Sequence, residues 1–353
     1  MQILLFILVL AVLVLFHEWG HFTAARKLGV GVLEFGFGFP PRLYAVTKKG
    51  IEYTINALPL GGFVRLKGED GENNDPDSFL VQPRWKKAVI LFAGVFMNWV
   101  LAILLFSTAN FLGVTQVIDE ETVGAQQVSI AVLDVVAQGQ AAQAGLQKGD
   151  EIISVNNSPA AGVSLTEAIV TSYEQKKPVT LEVGRAGEVL SIAITPTVQD
   201  GAEQATVGLM YAKTGRVAYS FLESIRVAFV DTGRLTVAVA RGLFDMIAGL
   251  VMGQGLDEGV SGPIGIARMT GEVASRGFSE LLQFMGLLSV NLAVLNLLPF
   301  PSLDGGRLLF VGIESIIRRK IPTRWEGWTH ALGFVILMVA VVLISVRDIM
   351  QIW

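Results

Sequence analysis

Three histidines and no cysteine occur in the 353 residues of this chain, so any chemistry it performs draws on few side chains. Two of the histidines, His17 and His21, enclose Glu18-Trp19-Gly20. Four residues apart on a helix, they share one face. Both imidazoles can then reach a single zinc ion, while Glu18 takes a proton from a metal-activated water. As a bare pattern His-Glu-x-x-His recurs by chance, but here the uncharged run Ile3 to Phe16 precedes it. Fifteen residues beyond Gln2, His17 stands roughly 22 Å along a helix, within a hydrocarbon core about 30 Å thick. Ionisable groups so closely spaced in a spanning helix are costly unless something binds them. A satisfied polar cluster between helices is the plainer alternative.

A catalytic zinc takes three protein ligands, and Asp304 is the candidate for the third. It follows Asn296-Leu297-Leu298-Pro299-Phe300-Pro301-Ser302-Leu303 and precedes Gly305-Gly306. The two prolines break an apolar stretch, and non-helical backbone at membrane depth is tolerated only against protein or a water-filled cavity. A carboxylate at that break can meet the metal. The alternative is an ordinary loop Asp capping a helix from Gly305. His330 is a rival ligand, although beside Trp328 it reads more simply as an interfacial histidine. Without cysteine, disulfides, thiol nucleophiles, iron–sulfur clusters and thiolate zinc sites are excluded.

The elements that must position these residues are mostly apolar. Charged residues make up 16% of the chain and hydrophobic ones 52%, against about 25% charged in a soluble protein. A polytopic α-helical membrane protein is expected. The net charge of −4 gives no reason to expect nucleic acid as a partner. Four spans are predicted: a first helix carrying His17 to His21, then Ala88 to Leu112, Leu281 to Leu298, and roughly Ala331 to Val346, with Trp325, Trp328 and Trp353 as interfacial anchors. A cleaved signal peptide needs a basic start and a small-residue cleavage site. Neither precedes the motif, so the first helix is read as retained. Residues 22–87 hold ten Lys/Arg and residues 303–328 hold five. Both fall on one side of a four-span arrangement, which makes that side cytoplasmic and places the termini and the long 113–279 segment outside.

Between the spans, Ile51 to Asn56 and Phe63 to Lys67 read as strands around the Gly/Pro turn Pro59-Leu60-Gly61-Gly62. Gly36 to Pro41 reads as a flexible apolar stretch, and the acidic tract Glu69 to Asp75 as a solvated loop. Residues 128–197 form a small α+β pattern: a strand at 129–136, a short helix at Ala141 to Ala144, a strand at Glu151 to Val155, a helix at about Ser164 to Glu174, and a hairpin of Val179 to Val183 with Val189 to Thr195. Phe221 to Leu250 has helical spacing interrupted by Arg226, Asp231, Arg234, Arg241 and Asp245, which suits an amphipathic helix on the outer surface better than a lipid-facing span. Gly253 to Gly265 is a Gly-rich break. The predicted division is 1–28 first transmembrane helix, 29–84 β-element and loop, 85–113 second span and 114–214 outer domain. There follow 215–278 amphipathic region, 279–306 third span with Leu-Asp-Gly-Gly, and 307–353 loop and fourth span.

The Ala-Gly-Leu-x-x-Gly-Asp-x-Ile series at 144–152 resembles the bacterial PDZ domain. Such domains hold an extended peptide or a C-terminus along a strand edge; a spacer of like fold without a ligand is the alternative. Taken together, His17-Glu18-x-x-His21 and Asn296-x-x-Pro299-x-Pro301-x-x-Asp304-Gly305 resemble the site-2 protease family of intramembrane zinc metalloproteases. Four spans with one outward PDZ domain match its bacterial regulator-of-sigma-E protease branch, although well-known members with tandem PDZ domains are longer. The resemblance implies Zn2+ held by His17, His21 and Asp304, with Glu18 as general base and acid. It also implies Asn296 on the substrate backbone, and residues 51–67 as a membrane-associated β-element. Gly94-Val95-Phe96-Met97-Asn98 looks like the family's Gly-x-x-x-Asn packing motif, with ordinary small-residue packing as the alternative for Asn98.

The expected substrates are single-span membrane proteins of the anti-sigma factor type, cut in regulated intramembrane proteolysis at the bacterial cytoplasmic membrane. Remnant signal peptides are the other candidate. The active site would face the cytoplasm, with the PDZ domain outside and the lipid bilayer around the spans. A helical substrate must unwind, and its freed backbone needs partners in a dry medium. Gly62, Phe63 and Val64 on a strand edge would supply them. A non-catalytic PDZ scaffold predicts a missing Glu or ligand, and both are present here. A transporter would need polar residues along several spans, whereas the second and fourth are nearly free of ionisable groups.

Overall fold

The computed structural model describes residues 2–69, 75–118, 126–185, 187–198, 205–253, 261–319 and 321–352. In chain order the elements are α1 (Gln2–Lys27), β1 (Val32–Lys48), β2 (Ile51–Leu66), α2 (Arg84–Leu112), β3 (Val114–Val117), β4 (Gln126–Val135), α3 (Gln140–Gln143), β5 (Glu151–Val155), β6 (Ser158–Pro159), α4 (Leu165–Glu174), β7 (Val179–Arg185), β8 (Glu188–Ile194), β9 (Leu209–Val217), α5 (Phe221–Val251), α6 (Pro263–Arg276), α7 (Phe278–Leu297), α8 (Asp304–Ile317) and α9 (Thr323–Ile352). They divide into two compact units, residues 110–219 and the remainder.

In the larger unit α1, α2, α7 and α9 are long and apolar enough to cross a membrane. They coincide with the four expected spans. Trp325 and Trp328 lie within the first turns of α9 rather than before it. Leu13, Val95, Val290 and Ala293 are at most 1% exposed between these helices. The stretch Gly36 to Pro41, read from sequence as flexible, is strand. Likewise Pro59 to Gly62 is not a turn between two strands, because β2 runs on through it.

Both strands are long and bent, so that β1 residues 34–37 lie beside 52–55 on one side and 62–65 on the other, while 44–48 pair with 51–55. The buried carboxylate of Glu34 holds the segments together. It accepts from Thr54 at 2.8 Å and pairs with Arg42 and Arg65 at 3.2 and 3.1 Å. A charge this buried is stable only when so surrounded, which a reading of apolar runs cannot reveal. Residues 62–66 pair with β1 on one side only among the described residues. At the far end of the element Phe39, Leu43, Tyr44, Ile55 and Leu58 are exposed.

The helix expected at Phe221 to Leu250 is α5. It sets Ala228, Leu235, Val239 and Leu243 against Ala102 and Phe106 of α2 and Val290 and Val294 of α7. Four of its charges pair along its own surface, Arg226 with Glu223 and Arg234 with Asp231. Most of the Gly-rich break expected at Gly253 to Gly265 lies outside the described residues.

The 110–219 unit is a seven-stranded sheet in the order β3-β9-β4-β5-β7-β8 with β6 beside β5. The sheet packs with α3 and α4 over a core of Ile130, Ile152, Leu165, Leu181 and Ile194. Ser164 caps α4 by accepting from the Glu167 N–H. In the turn before β5, Asp150 is 2% exposed by its side chain and receives Arg185 through two bonds of 2.7 and 2.6 Å. It also accepts the Gln147 N–H at 2.8 Å. Burial by itself would raise the Asp150 pKa, but these donors outweigh it and hold the carboxyl below its ordinary range.

Asp150→Asn should therefore destabilise this unit by about 3 kcal/mol, read as faster amide exchange in β5 and β7. With the folded pKa depressed, wild type keeps its full advantage above the unfolded pKa of about 4 and loses it as pH falls further. A difference that stays constant below that pH would contradict the assignment.

Candidate active site

His17 and His21 lie one turn apart on the buried face of α1, 6% and 8% exposed. Two missing side chains let α2 close over that face. A Cβ on Gly20 would strike the Ala93 backbone, and one on Gly94 would stand 2.8 Å from His17 Cε1 and nearer still to His21 Nε2. Small residues bring helix backbones together in this way. The Ile90 carbonyl accepts the His21 Nδ1–H at 2.8 Å, which leaves the neutral ring with a lone pair on Nε2.

The amide of Asn98, itself 0% exposed, stands 3.2 Å from His17 Nδ1. The Asn98 backbone carbonyl accepts the Ser289 hydroxyl of α7 at 2.8 Å. Asn98 Oδ1 is buried with no hydrogen-bond partner among the described residues. With the amide turned over, that oxygen can accept the His17 Nδ1–H and leave His17 Nε2 bare as well.

The third group arrives from far along the chain. α7 stops at Leu297, and the prolines at 299 and 301 prevent its continuation. Asp304 opens α8 in its first turn, and Leu303 rather than Asp304 occupies the cap position. Asp304 Oδ2 is 3.0 Å from His17 Nε2 and 3.2 Å from His21 Nε2, and the two nitrogens are 3.1 Å apart. Two ligands of a tetrahedral zinc at its usual bond lengths lie about 3.3 Å from each other. Two imidazoles and a carboxylate are a donor set catalytic zinc takes, with a fourth position left open. The three residues fit the metal, and among the described residues they are the only such group.

Glu18 lies within electrostatic reach of His21, His17, Asp304 and Glu69. A Cβ on Gly62 would be 3.3 Å from Glu18 Cγ, so the 62–66 segment passes directly beside it. Phe63 and Val64 continue that segment, partly exposed. The Asn296 amide is 3.5 Å from His17 Nε2. His330 does not join the convergent set; its Nδ1 accepts the Ser302 N–H at 2.7 Å, so it is neither a ligand nor a plain interfacial side chain.

Sequence reasoning missed an ion pair between Arg307, one turn beyond Asp304, and Glu69. Glu69, expected in a solvated loop, is partly buried, because a guanidinium in a cleft needs a counter-charge. Residues 70–74 of that tract lie outside the described residues. An Arg following Asp-Gly-Gly at the break in a span was the available signal. The carbonyl of Ile90 left no signal at all, since any residue supplies one.

The profile of peptidase family M50 matches residues 5–340. The chain belongs to this family. It is 33% identical to a candidate zinc metalloprotease of Clostridium perfringens over 99% of this chain and 98% of that protein. It is 33% identical to one from Campylobacter jejuni over 98% and 92%. With zinc metalloprotease RasP of Geobacillus kaustophilus it shares 28% identity over 99% and 98%. The M50 chain is thus a zinc metalloprotease of the site-2 protease family, with Zn2+ as its cofactor, and an integral membrane protein whose four apolar helices sit in a lipid bilayer.

Proposed function

We propose that this M50 protease hydrolyses peptide bonds within the transmembrane segments of single-span proteins, with Zn2+ held by His17, His21 and Asp304. The observation that carries the reading is the convergence of three ligand atoms within 3.0–3.2 Å, two of them on a helix whose preceding run is uncharged. Bound zinc supplies Lewis-acid activation of water and of the scissile carbonyl. Glu18 takes the proton of the attacking water and delivers it to the leaving amine. Ile90 and Asn98 hold the imidazoles in the required tautomer. Asn296, 3.5 Å from His17 Nε2, is placed to hold substrate backbone.

The 62–66 segment offers its free edge to the unwound substrate, and the apolar tip of the β-element rests in lipid. Proline replacements at alternate positions from Gly62 to Leu66 remove edge donors. Each should lower kcat/KM about tenfold, the equivalent of one hydrogen bond, while zinc stays bound. Undiminished cleavage across the series would sink the strand-edge idea.

The catalytic centre faces the cytoplasm and the 110–219 unit is a PDZ domain outside, as in the regulator-of-sigma-E branch. The basic 22–87 and 303–328 segments support that orientation. An anti-sigma factor type of protein is the preferred substrate class. The deciding assay uses purified full-length protein and a single-span substrate in liposomes. Stripping the metal with a chelator should stop cleavage, and stoichiometric Zn2+ should restore it. The cut should map inside the apolar segment; a cut confined to the polar flanks would defeat the intramembrane reading.

A further inference from the structure

α9 is loosely enclosed: Leu332, Phe334, Val335, Val342 and Leu343 are each more than half exposed. Polar side chains tie it down near both ends. Asp348 accepts the N–H groups of Gly262 and Gly265 at 3.1 and 2.7 Å, at the start of α6. At the other end His330 Nδ1 accepts the Ser302 N–H at 2.7 Å. Ser302 has φ +83°, a left-handed conformation that a serine holds only when its surroundings impose it.

The surroundings here are α9 itself. A Cβ on Gly333 would meet Pro301 Cβ and carbonyl carbon at 2.6 and 2.7 Å, so a glycine lets the α9 backbone lie directly on the turn. Phe310 of α8 packs against the imidazole, ring centres 5.7 Å apart. Because Nδ1 accepts, the neutral ring carries its proton on Nε2. That nitrogen is buried with no hydrogen-bond partner among the described residues, and the nearest carboxylate, Glu326, is 3.9 Å away. The polar contact of this ring is therefore with the turn, and the turn ends two residues later at Asp304.

We propose that His330 is a positioning residue for Asp304. By accepting the Ser302 N–H it keeps the Pro301-Ser302 turn in its left-handed form, and so fixes where the Asp304 carboxylate meets the two imidazoles. Without that acceptor the Ser302 N–H is left unpaired, the turn relaxes, and the carboxylate drifts. The proposal rests on the reading of Asp304 as a zinc ligand.

Asparagine and glutamine at position 330 separate this role from general packing. Asn places its Oδ1 where Nδ1 stands, whereas Gln places its oxygen near Nε2. The measurements are zinc affinity of the full-length protein by chelator competition, and kcat and KM on a single-span substrate. His330→Gln should weaken zinc binding about 10–100-fold, the usual effect of losing a partner behind a ligand, and lower kcat with KM unchanged. His330→Asn should stay within about threefold of wild type in both, well short of that range. The proposal is overturned if His330→Asn falls as far as His330→Gln, or if His330→Gln binds zinc as wild type does. Asp304→Asn is measured alongside. If it retains wild-type zinc affinity, the ligand assignment fails first; if it loses zinc while His330→Gln does not, only the role of His330 fails.

Discussion

Glu18→Gln should leave zinc bound and the fold intact while lowering turnover by about 10²–10⁴-fold, the contribution of a positioned general acid–base group. Glutamine matches glutamate in size, so the close approach of Gly62 to this side chain survives the change. What is lost is the ability to accept a proton and to return it. Neither carboxylate described beside it is free to substitute: Asp304 is engaged with both imidazoles, and Glu69 is paired with Arg307. The measurement is single-turnover cleavage of a reconstituted single-span substrate with zinc determined on the same sample. Wild-type rates in Glu18→Gln would remove Glu18 from the chemistry. Loss of zinc together with activity would recast it as a structural member of the metal site.

Asp304→Ala should release the metal. The substitution removes the anionic member of the three converging groups and leaves two neutral imidazoles 3.1 Å apart. Losing a partner one shell further out already costs 10–100-fold in metal affinity, so losing the ligand itself should cost at least about 100-fold, with activity falling in step. Excess Zn2+ should recover occupancy in part but not turnover, because the remaining ligands no longer define the open position. Metal content by mass spectrometry, followed through a zinc titration, checks this. Full occupancy at the wild-type affinity would require another group as third ligand.

Much of the architecture was legible because it obeys local rules. Uncharged runs of membrane-crossing length mark α1, α2, α7 and α9, and alternation with turn residues marks β4, β5, β7 and β8, whereas β3, β6 and β9 went unread. The path of β1 and β2 was not legible. Gly36 to Pro41 and Pro59 to Gly62 carry the residues that ordinarily end strands. Only the cross-linking of Arg42, Thr54 and Arg65 through Glu34 shows why the chain continues through both. The packing of α5 against α2 and α7 was equally hidden, since its buried stripe reads as one face of any amphipathic helix.

The candidate site divides along the same line. The spacing of His17, Glu18 and His21 is a property of one helical turn, so sequence determines that these groups are neighbours wherever the helix goes. The proline break before Asp304 likewise determines that a carboxylate sits at an interrupted span. What sequence leaves open is everything set by one element pressing on another. The tertiary structure decides that Gly94 admits α2 to the imidazoles, that Ile90 and Asn98 face their second nitrogens, that Gly62 passes beside Glu18, and that His330 grips the turn 28 residues before it. The physical reason is range. Helix periodicity and turn chemistry act over a few residues, whereas a metal site needs groups 287 positions apart to meet within 3.0 Å, and only the packing of whole helices can do that.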